Sequence, residues 1–257
     1  MDDKIFALLE AAAARFNQKG FIEDDPISVA HRFSKKQDIE IMAFWAATLA
    51  WGQRKTIIRS AQKLAELMDG APHDFIKNHR ETDRTRFLDF RHRTFQATDA
   101  LWFLEYLQRF YQKNESLETA FSCHLAGEPT IEAGLRGFHE QFFADEFAPD
   151  RTRKHVATPA RGSTCKRLCM FLRWMVREDG AGVDFGLWKT IRPSQLLIPL
   201  DVHVERVARG LGLLQRPQTD WRAVLELTEN LRQFDQNDPV RYDFALFGLG
   251  IEGKERF

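Results

Sequence analysis

The chain of 257 residues is long enough to bury the core of one large domain or of two closely joined lobes. Its 44% hydrophobic and 29% charged residues match folded globular proteins, which excludes an intrinsically disordered chain. No apolar stretch reaches membrane-spanning length, and the acidic start MDDK is unlike a secretory signal. Since Cys123, Cys165 and Cys169 lack disulfide-like spacing, we expect a soluble protein of the reducing cytoplasm.

Apolar residues recur at helical spacing through the first half of the chain, without the alternation typical of strands. Residues 5–16 predict a first helix. Residues 38–51 predict a second, capped by Asp38 and ended by Gly52; because it is apolar nearly all round, we expect it to be buried on every side. Further helices are expected over 57–68 and near 98–112, 116–126 and 131–147.

The second half continues the helical pattern, so the sequence predicts an all-α protein. A connection is expected over 186–200, which contains Gly186, Pro193 and Pro199. The other helices are expected over 163–176 after a tight turn at Gly162, from Asp201 to Gly210, over 220–231, and from Asp238 to Gly248.

A basic block runs from Arg151 to Arg177, with eight Lys or Arg residues and no acid, although the net charge of the chain is zero. A solvated face and a phosphate-binding surface are both open interpretations of such a block. The helix after Gly162 favours phosphate binding, because its first amides are unpaired and face outward. Arg173 and Arg177 share the side of this helix that we expect to meet a partner.

Two segments resemble the signatures of the helix-hairpin-helix DNA glycosylase superfamily, of the endonuclease III and 8-oxoguanine glycosylase type. GSTCK at 162–166 is similar to the family's G-x-G-x-K hairpin, and LDVHVERVARGLGL at 200–213 is similar to its V-D-x-H-V-x-R-V segment. Residues 39–56 and 242–250 resemble the family's early and last helices. As a whole, the chain is also similar to a conserved bacterial family related to these glycosylases.

The resemblance implies a two-lobed helical bundle with its hairpin at 156–177. One lobe would span 38–177, the other would join 1–37 to 199–257, and 178–198 would be an insertion between them. Two features depart from the family pattern: Thr164 replaces the second glycine of the hairpin, and 35 residues separate Lys166 from Asp201.

The activity implied by the resemblance is base excision by a glycosylase with AP-lyase activity. Lys166 would attack the sugar C1′ of a flipped nucleotide and form a Schiff base. Asp201 would stabilise the cationic sugar and accept a proton from the lysine. From the residues alone, an N-cap role for Asp201 and a phosphate contact for Lys166 remain open.

The resemblance also assigns supporting roles around this pair. Gln53 would be inserted into the duplex, and Trp45 and Trp51 would line the base pocket unless they belong to the core. His203 and Arg206 match the family's spacing, but from the residues we expect structural roles for them: a hydrogen bond from His203 that anchors its helix, and a salt bridge of Arg206 within the bundle. The other expected DNA contacts are Arg161, Gly162, Ser163, Thr164, Arg167 and Arg173.

The expected partner is damaged double-stranded DNA. We expect the protein to act on it as a monomer. No iron-sulfur cluster or other metal is expected, because the family's four-cysteine loop is absent, although a monovalent cation at the hairpin is compatible with the resemblance. Two alternatives remain open: a non-catalytic DNA-binding protein on the same fold, and a helical scaffold that binds acidic protein partners through the basic block.

Overall fold

The structure, a computed structural model, describes residues 3–253. Its regular elements are helices, and the described residues contain no β-strand, only two isolated bridges. This confirms the all-α prediction. The α-helices are α1 (Asp3–Phe16), α2 (Gly20–Glu23), α3 (Ile27–Ala30), α4 (Lys36–Thr48), α5 (Arg54–Leu67), α6 (Pro72–Asn78), α7 (Ala97–Tyr111), α8 (Thr119–Ser122), α9 (Glu132–Phe142), α10 (Lys166–Val176), α11 (Val202–Gly210), α12 (Trp221–Arg232) and α13 (Asp243–Glu252). Short 3₁₀ segments cover Glu81–Phe87, Asp150–Lys154, Pro159–Arg161, Pro193–Gln195 and Pro239–Tyr242. None of the described helices is both long and apolar enough to cross a membrane.

The helix α4 is the central post of the bundle, as its all-round apolar sequence predicts. Every residue from Ile39 to Thr48 is buried. The prediction that Asp38 caps this helix is wrong, because α4 begins earlier, at Lys36. The Asp38 carboxylate instead accepts the His73 amide at 2.7 Å, which joins α4 to the start of α6.

A buried carboxylate on α4 fastens distant segments to the core. Glu40 accepts hydrogen bonds from Tyr111 at 2.8 Å, Ser116 at 2.5 Å and the indole of Trp188 at 2.7 Å. Trp188 lies in the segment predicted as an inserted connector. Because its side chain is buried against α4, the connector contributes to the core rather than looping outside it.

Several helix boundaries differ from the predictions; for example, α10 begins at Lys166 and not at residue 163. Only Thr119–Ser122 of the expected helix at 116–126 is α-helical, and α9 ends at Phe142, before 147. The side chain of Asp238 makes no capping bond, and Pro239–Tyr242 forms a 3₁₀ turn before α13. Four-residue helices such as α2 and α3 are too short to display a period, which explains why the sequence does not reveal them.

Two groups of helices leave a cleft between them. The helices α1 and α11 both pack against α13, whereas α4 packs against α3, α5, α6 and α10. Since α3 belongs to the predicted second lobe but packs on α4, the two groups interlock at this point. The lobe boundaries at 38 and 199 stay a prediction.

The helix α10 does not expose a partner-facing side, which corrects the sequence interpretation. Every residue from Leu168 to Val176 is buried. The side chain of Arg173 is 4% exposed, pairs with Asp243 and lies 3.4 Å from Asp184. Arg173 is therefore not a DNA contact, because its charge is neutralised inside the protein.

Two further arginines of the basic block are also neutralised by acids that lie outside it. Arg177 is buried and bonds Asp184 at 2.6 Å and Asp238 at 2.7 Å. Arg151 pairs with the buried Asp99 at 2.5 Å. A run without acids in the sequence is thus not a free cationic surface in the fold.

We expect Arg173→Ala to lower the free energy of unfolding by about 3–5 kcal/mol, because Asp184 and Asp243 would remain buried without this counter-charge. Urea unfolding measures the change. The matched control Arg161→Ala removes an exposed arginine of the same block and should stay within about 0.5 kcal/mol of the wild type. Equal effects of the two substitutions would contradict the buried network.

Candidate active site

A cleft of about 730 Å³ opens between the two groups of helices. Its walls combine aromatic rings with charged side chains, a mixture typical of small-molecule and nucleotide sites. The charged residues that line it are Asp25, Arg54, Lys166, Arg167, Arg173, Asp201, Glu205 and Asp243.

Lys166 and Asp201 meet at the wall of this cleft. The Lys166 Nζ lies 3.7 Å from the Asp201 Oδ2, and the two side chains are 25% and 20% exposed. The lysine is the first residue of α10 and the aspartate is the N-cap of α11, so each is placed by a helix start. The fold therefore brings together the two residues that the resemblance makes catalytic.

The two oxygens of Asp201 have separate tasks. Its Oδ1 accepts the amides of His203 at 2.9 Å and Val204 at 3.1 Å, as an N-cap does. Its Oδ2 faces Lys166, whose Nζ also lies 3.4 Å from the Met170 sulfur. Capping fixes the carboxylate in the orientation that directs its other oxygen at the amine.

The hairpin before α10 turns through two left-handed residues. Gly162 has φ 73° and Cys165 has φ 50°, whereas Thr164, which stands in place of the family's second glycine, does not have a positive φ. A left-handed backbone costs a residue with a side chain about 1–2 kcal/mol. The hydroxyl of Ser163 accepts the Cys165 amide at 3.2 Å, which helps to hold this strained residue directly before Lys166.

The polar groups of the hairpin are partly used inside the protein. The hydroxyl of Ser163 is engaged in that bond, and the Gly162 carbonyl accepts the Trp221 amide at 3.0 Å. By contrast, within residues 3–253 the amides of Lys166, Arg167 and Leu168 have no backbone acceptor. These amides can therefore donate hydrogen bonds to a phosphate, and the predicted phosphate site stays a prediction.

The hairpin residues that are expected to contact DNA differ in their solvent exposure. Arg161 and Gly162 are exposed, and Thr164 is half-buried. The predicted roles of these residues in DNA binding, like the cation at the hairpin, stay predictions. In the described part of the chain, no group of His, Cys, Asp or Glu is arranged to hold a metal ion.

One of the two tryptophans assigned to the base pocket lies there. Trp51 lines the cleft, and the Arg167 guanidinium stands 4.9 Å above its ring. Trp45 is fully buried between Phe95 and Phe103, so its assignment to the pocket is wrong. An apolar helix that is buried all round uses its aromatic residues for packing.

Arg167 and Gln53 flank this wall of the cleft. The Arg167 guanidinium donates to the carbonyls of Thr48 and Lys154, and burial lowers its pKa to about 10. Gln53 is exposed at the N-cap of α5 without a capping bond, between the cleft-lining residues Gly52 and Arg54. Gln53 is thus free to contact a ligand at the rim, and its insertion into DNA stays a prediction.

His203 anchors its helix differently from the expectation, whereas the salt bridge expected of Arg206 stays a prediction. The Nδ1 of His203 is buried without a hydrogen-bond partner, so the ring anchors α11 by packing edge-on against Phe247. Close contact with Gly250 completes this packing, because a Cβ there would lie 2.9 Å from the His203 Cβ. Arg206 donates to the Gly250 carbonyl at 2.5 Å, which ties α11 to α13.

Two buried carboxyl groups in the cleft were not found from the sequence. Asp25 is 6% exposed, accepts the Ile27 amide at 3.0 Å and forms no ion pair with a described residue. Burial raises its pKa, and burial raises the pKa of Asp243 to about 6 despite its pairing with Arg173. Asp25 stands before Pro26, where the sequence indicates only a turn, and Asp243 looks like part of a helix start.

Residues 25–252 match the model of the family described as "Protein of unknown function (DUF2400)". The match covers most of the chain, and the protein therefore belongs to this family. Comparison with curated proteins and with solved structures gives no match.

We expect Asp25→Asn to raise stability at pH 7.5. Burial penalises the ionised carboxylate and raises its pKa, so the wild type loses stability as the pH rises from the unfolded pKa, about 4, through the higher folded value. Asparagine keeps an oxygen for the Ile27 amide but carries no charge. The gain in melting temperature should therefore shrink at pH 4.

The matched control is Asp150→Asn, since the Asp150 side chain is 96% exposed. It should leave the melting temperature nearly unchanged at both pH values. A stability of Asp25→Asn at pH 7.5 equal to or below that of the wild type would show that the cleft does not penalise the Asp25 charge.

Proposed function

We propose that this DUF2400 protein is a DNA-repair glycosylase with AP-lyase activity that acts on a damaged base flipped out of double-stranded DNA. The observation that supports this most directly is the 3.7 Å approach of the Lys166 amine to the Asp201 carboxylate at a cleft. The two residues are 35 positions apart and fall in separate motifs of the resemblance. The cleft volume of about 730 Å³ lies within the range of small-molecule sites.

The chemistry begins with a proton transfer between the paired groups. The Lys166 ammonium gives a proton to Asp201 Oδ2, and the free amine attacks C1′ of the flipped nucleotide. The bond from C1′ to the base breaks, its electron pair leaves with the base, and the base takes up the proton from Asp201, which becomes a carboxylate again. The C1′–O4′ bond then breaks as a proton moves from the Lys166 nitrogen to O4′, which leaves a protonated Schiff base. Loss of a proton from C2′ permits β-elimination of the 3′ phosphate, which cuts the strand.

Asp201 has a second task while this bond breaks. Positive charge develops on the sugar, and a carboxylate held next to it lowers the energy of the transition state. The amides of His203 and Val204 hold Asp201 in place, so it does not have to reorganise during the reaction. This pre-organisation gives the N-cap a catalytic purpose.

The surroundings of the pair suit a nucleotide drawn out of a duplex. The free amides at the start of α10 offer hydrogen bonds to a phosphate, and Arg161 is exposed beside them. Trp51 lines the cleft wall, where its ring adds an apolar surface for contact with a base. Gln53 stands at the rim, where a side chain can fill the space left in the base stack.

The main alternative is a DNA-binding protein on the same fold that performs no chemistry. The ion pair between Lys166 and Asp201 favours it, because a lysine used only for structure or phosphate contact can be paired in the same way. The scaffold alternative loses its main support, since Arg173 and Arg177 of the basic block are neutralised by buried acids.

We expect borohydride to trap a covalent complex between the wild type and duplexes that carry abasic sites or a panel of damaged bases. Lys166→Gln should abolish the adduct, because it removes the amine. Asp201→Asn keeps a capping oxygen and should slow trapping on the damaged base by about 100-fold or more. The exposed Lys154→Gln is the matched control and should trap as the wild type does.

Gel analysis of the trapped complex, together with the melting temperature of each variant, separates loss of chemistry from loss of fold. A folded wild type that gives no adduct with any lesion would remove the lyase and leave the binding alternative. An adduct that persists in Lys166→Gln would contradict the assignment of the nucleophile.

A further inference from the structure

We propose that a second surface, distinct from the hairpin, binds the phosphate backbone of the DNA beside the cleft. We call it the α5 strip and define it as Lys55, Arg59, Lys63, Arg91 and Arg93. This inference rests on the proposed function, because it takes DNA as the substrate. It assigns the backbone contacts that the buried part of the basic block does not supply.

The helical part of the strip is a row of exposed cations. Lys55, Arg59 and Lys63 recur every four residues and therefore lie on one face of α5. No acid occurs in α5 before Glu66, which pairs with Lys63 at 3.4 Å. Among the described residues, neither Lys55 nor Arg59 forms an ion pair.

The two arginines of the strip come from a tight turn that is fixed on α5. Between them, His92 exchanges two backbone hydrogen bonds of 2.9 Å with Phe95, and its Nδ1 bonds the Ser60 hydroxyl at 2.9 Å. Arg93 has a left-handed backbone with φ 54°, a conformation that costs a residue with a side chain about 1–2 kcal/mol. These hydrogen bonds thus hold the turn in a defined conformation that places Arg91 and Arg93 beside α5.

A concave groove of about 340 Å³ lies between α5 and this turn. Arg59 and Arg91 line it and are exposed, as is one acid, Asp89, while Arg86 in its wall is already paired with Asp69 at 2.8 Å. Phe90 adds an apolar surface. The backbone of a nucleic acid alternates charged phosphates with less polar sugars, so it matches a groove that combines cations with an apolar surface. This match favours a nucleic-acid backbone as the occupant.

The strip begins at the mouth of the candidate active site. Arg93 packs against Gly52 of the cleft wall, where an added Cβ would come within 2.5 Å of its guanidinium. The cleft-lining Trp51 contacts His92 edge-on, with ring centroids 5.0 Å apart. A strand whose nucleotide enters the cleft would therefore pass onto the strip.

The length of the strip suits a DNA strand. Eight residues separate Lys55 from Lys63, a rise of about 12 Å along α5. A strand of the duplex carries a phosphate about every 3.4 Å of its axis, so the row spans about three to four phosphates. Lys154 and Arg161 of the predicted basic block are also exposed. These two residues carry less positive charge than the α5 strip.

The test compares the salt dependence of binding to an undamaged duplex. The strip variant combines Lys55→Gln, Arg59→Gln and Arg91→Gln; it spares Lys63, which is paired, and Arg93, which packs on the Gly52 turn. Each lost phosphate contact reduces the slope of log K against log salt by about 0.9, so we expect the strip variant to lose up to about 2.7.

The matched control removes the same charge elsewhere through Lys77→Gln, Lys113→Gln and Arg222→Gln, all exposed. We expect it to keep the wild-type slope, and equal slopes for the two triple variants would overturn the strip. A wild type that binds acidic peptides but no duplex at low salt would overturn it too.

Borohydride trapping at saturating DNA distinguishes this failure from failure of the proposed function. We expect the strip variant to form the Lys166 adduct to the same final extent as the wild type. If the protein is a lyase but the α5 strip does not bind DNA, the adduct persists and the strip variant and the control variant have equal slopes. If the chemistry is wrong but the strip is right, no adduct forms and only the strip variant loses slope.

Discussion

The buried ion pairs that hold α10 in the interior are the constraint on which the rest of the site depends. Arg173 pairs with Asp243 at the start of α13 and approaches Asp184 in the connector, so one guanidinium joins α10 both to the connector and to α13. Because α10 begins at Lys166, the position of this helix also sets the position of the amine. The same network thus places the start of α10 opposite the start of α11, where Asp201 is the cap. A stretch that looks like a DNA-binding surface in the sequence instead supports the candidate active site from inside the protein.

This arrangement divides the cations of the protein into two groups with different tasks. Arg173 of α10 and Arg177 at its C-terminal end are neutralised by buried acids and hold the fold, whereas the cations of the α5 strip remain in solvent beside the cleft. Counting charge along the chain does not separate the groups, because the acids that pair with Arg177 are brought in by the connector and by the loop before α13. A net charge of zero is therefore compatible with a local cationic surface.

Much of the fold was predictable from the sequence because it follows from local periodicity. The buried character of α4, the extent of α7 and the capping of α11 by Asp201 need only the residues within each helix. The pairing of Lys166 with Asp201 was accessible only through the resemblance, since no local rule joins positions 35 apart. Asp25 and the buried state of Arg173 were not accessible, because both depend on which distant helices cover them. Trp45 and Trp51 show the same limit: similar residues on neighbouring turns have opposite environments, and only packing distinguishes them.

The central claim is that the amine of Lys166 becomes bonded to the sugar of the damaged nucleotide. Mass spectrometry of peptides from the borohydride-reduced complex tests this most directly, because the sugar remnant stays on the residue that attacked. We expect a remnant on the peptide that contains Lys166, with the modified nitrogen at its side chain. A remnant on another amine of the chain would contradict it.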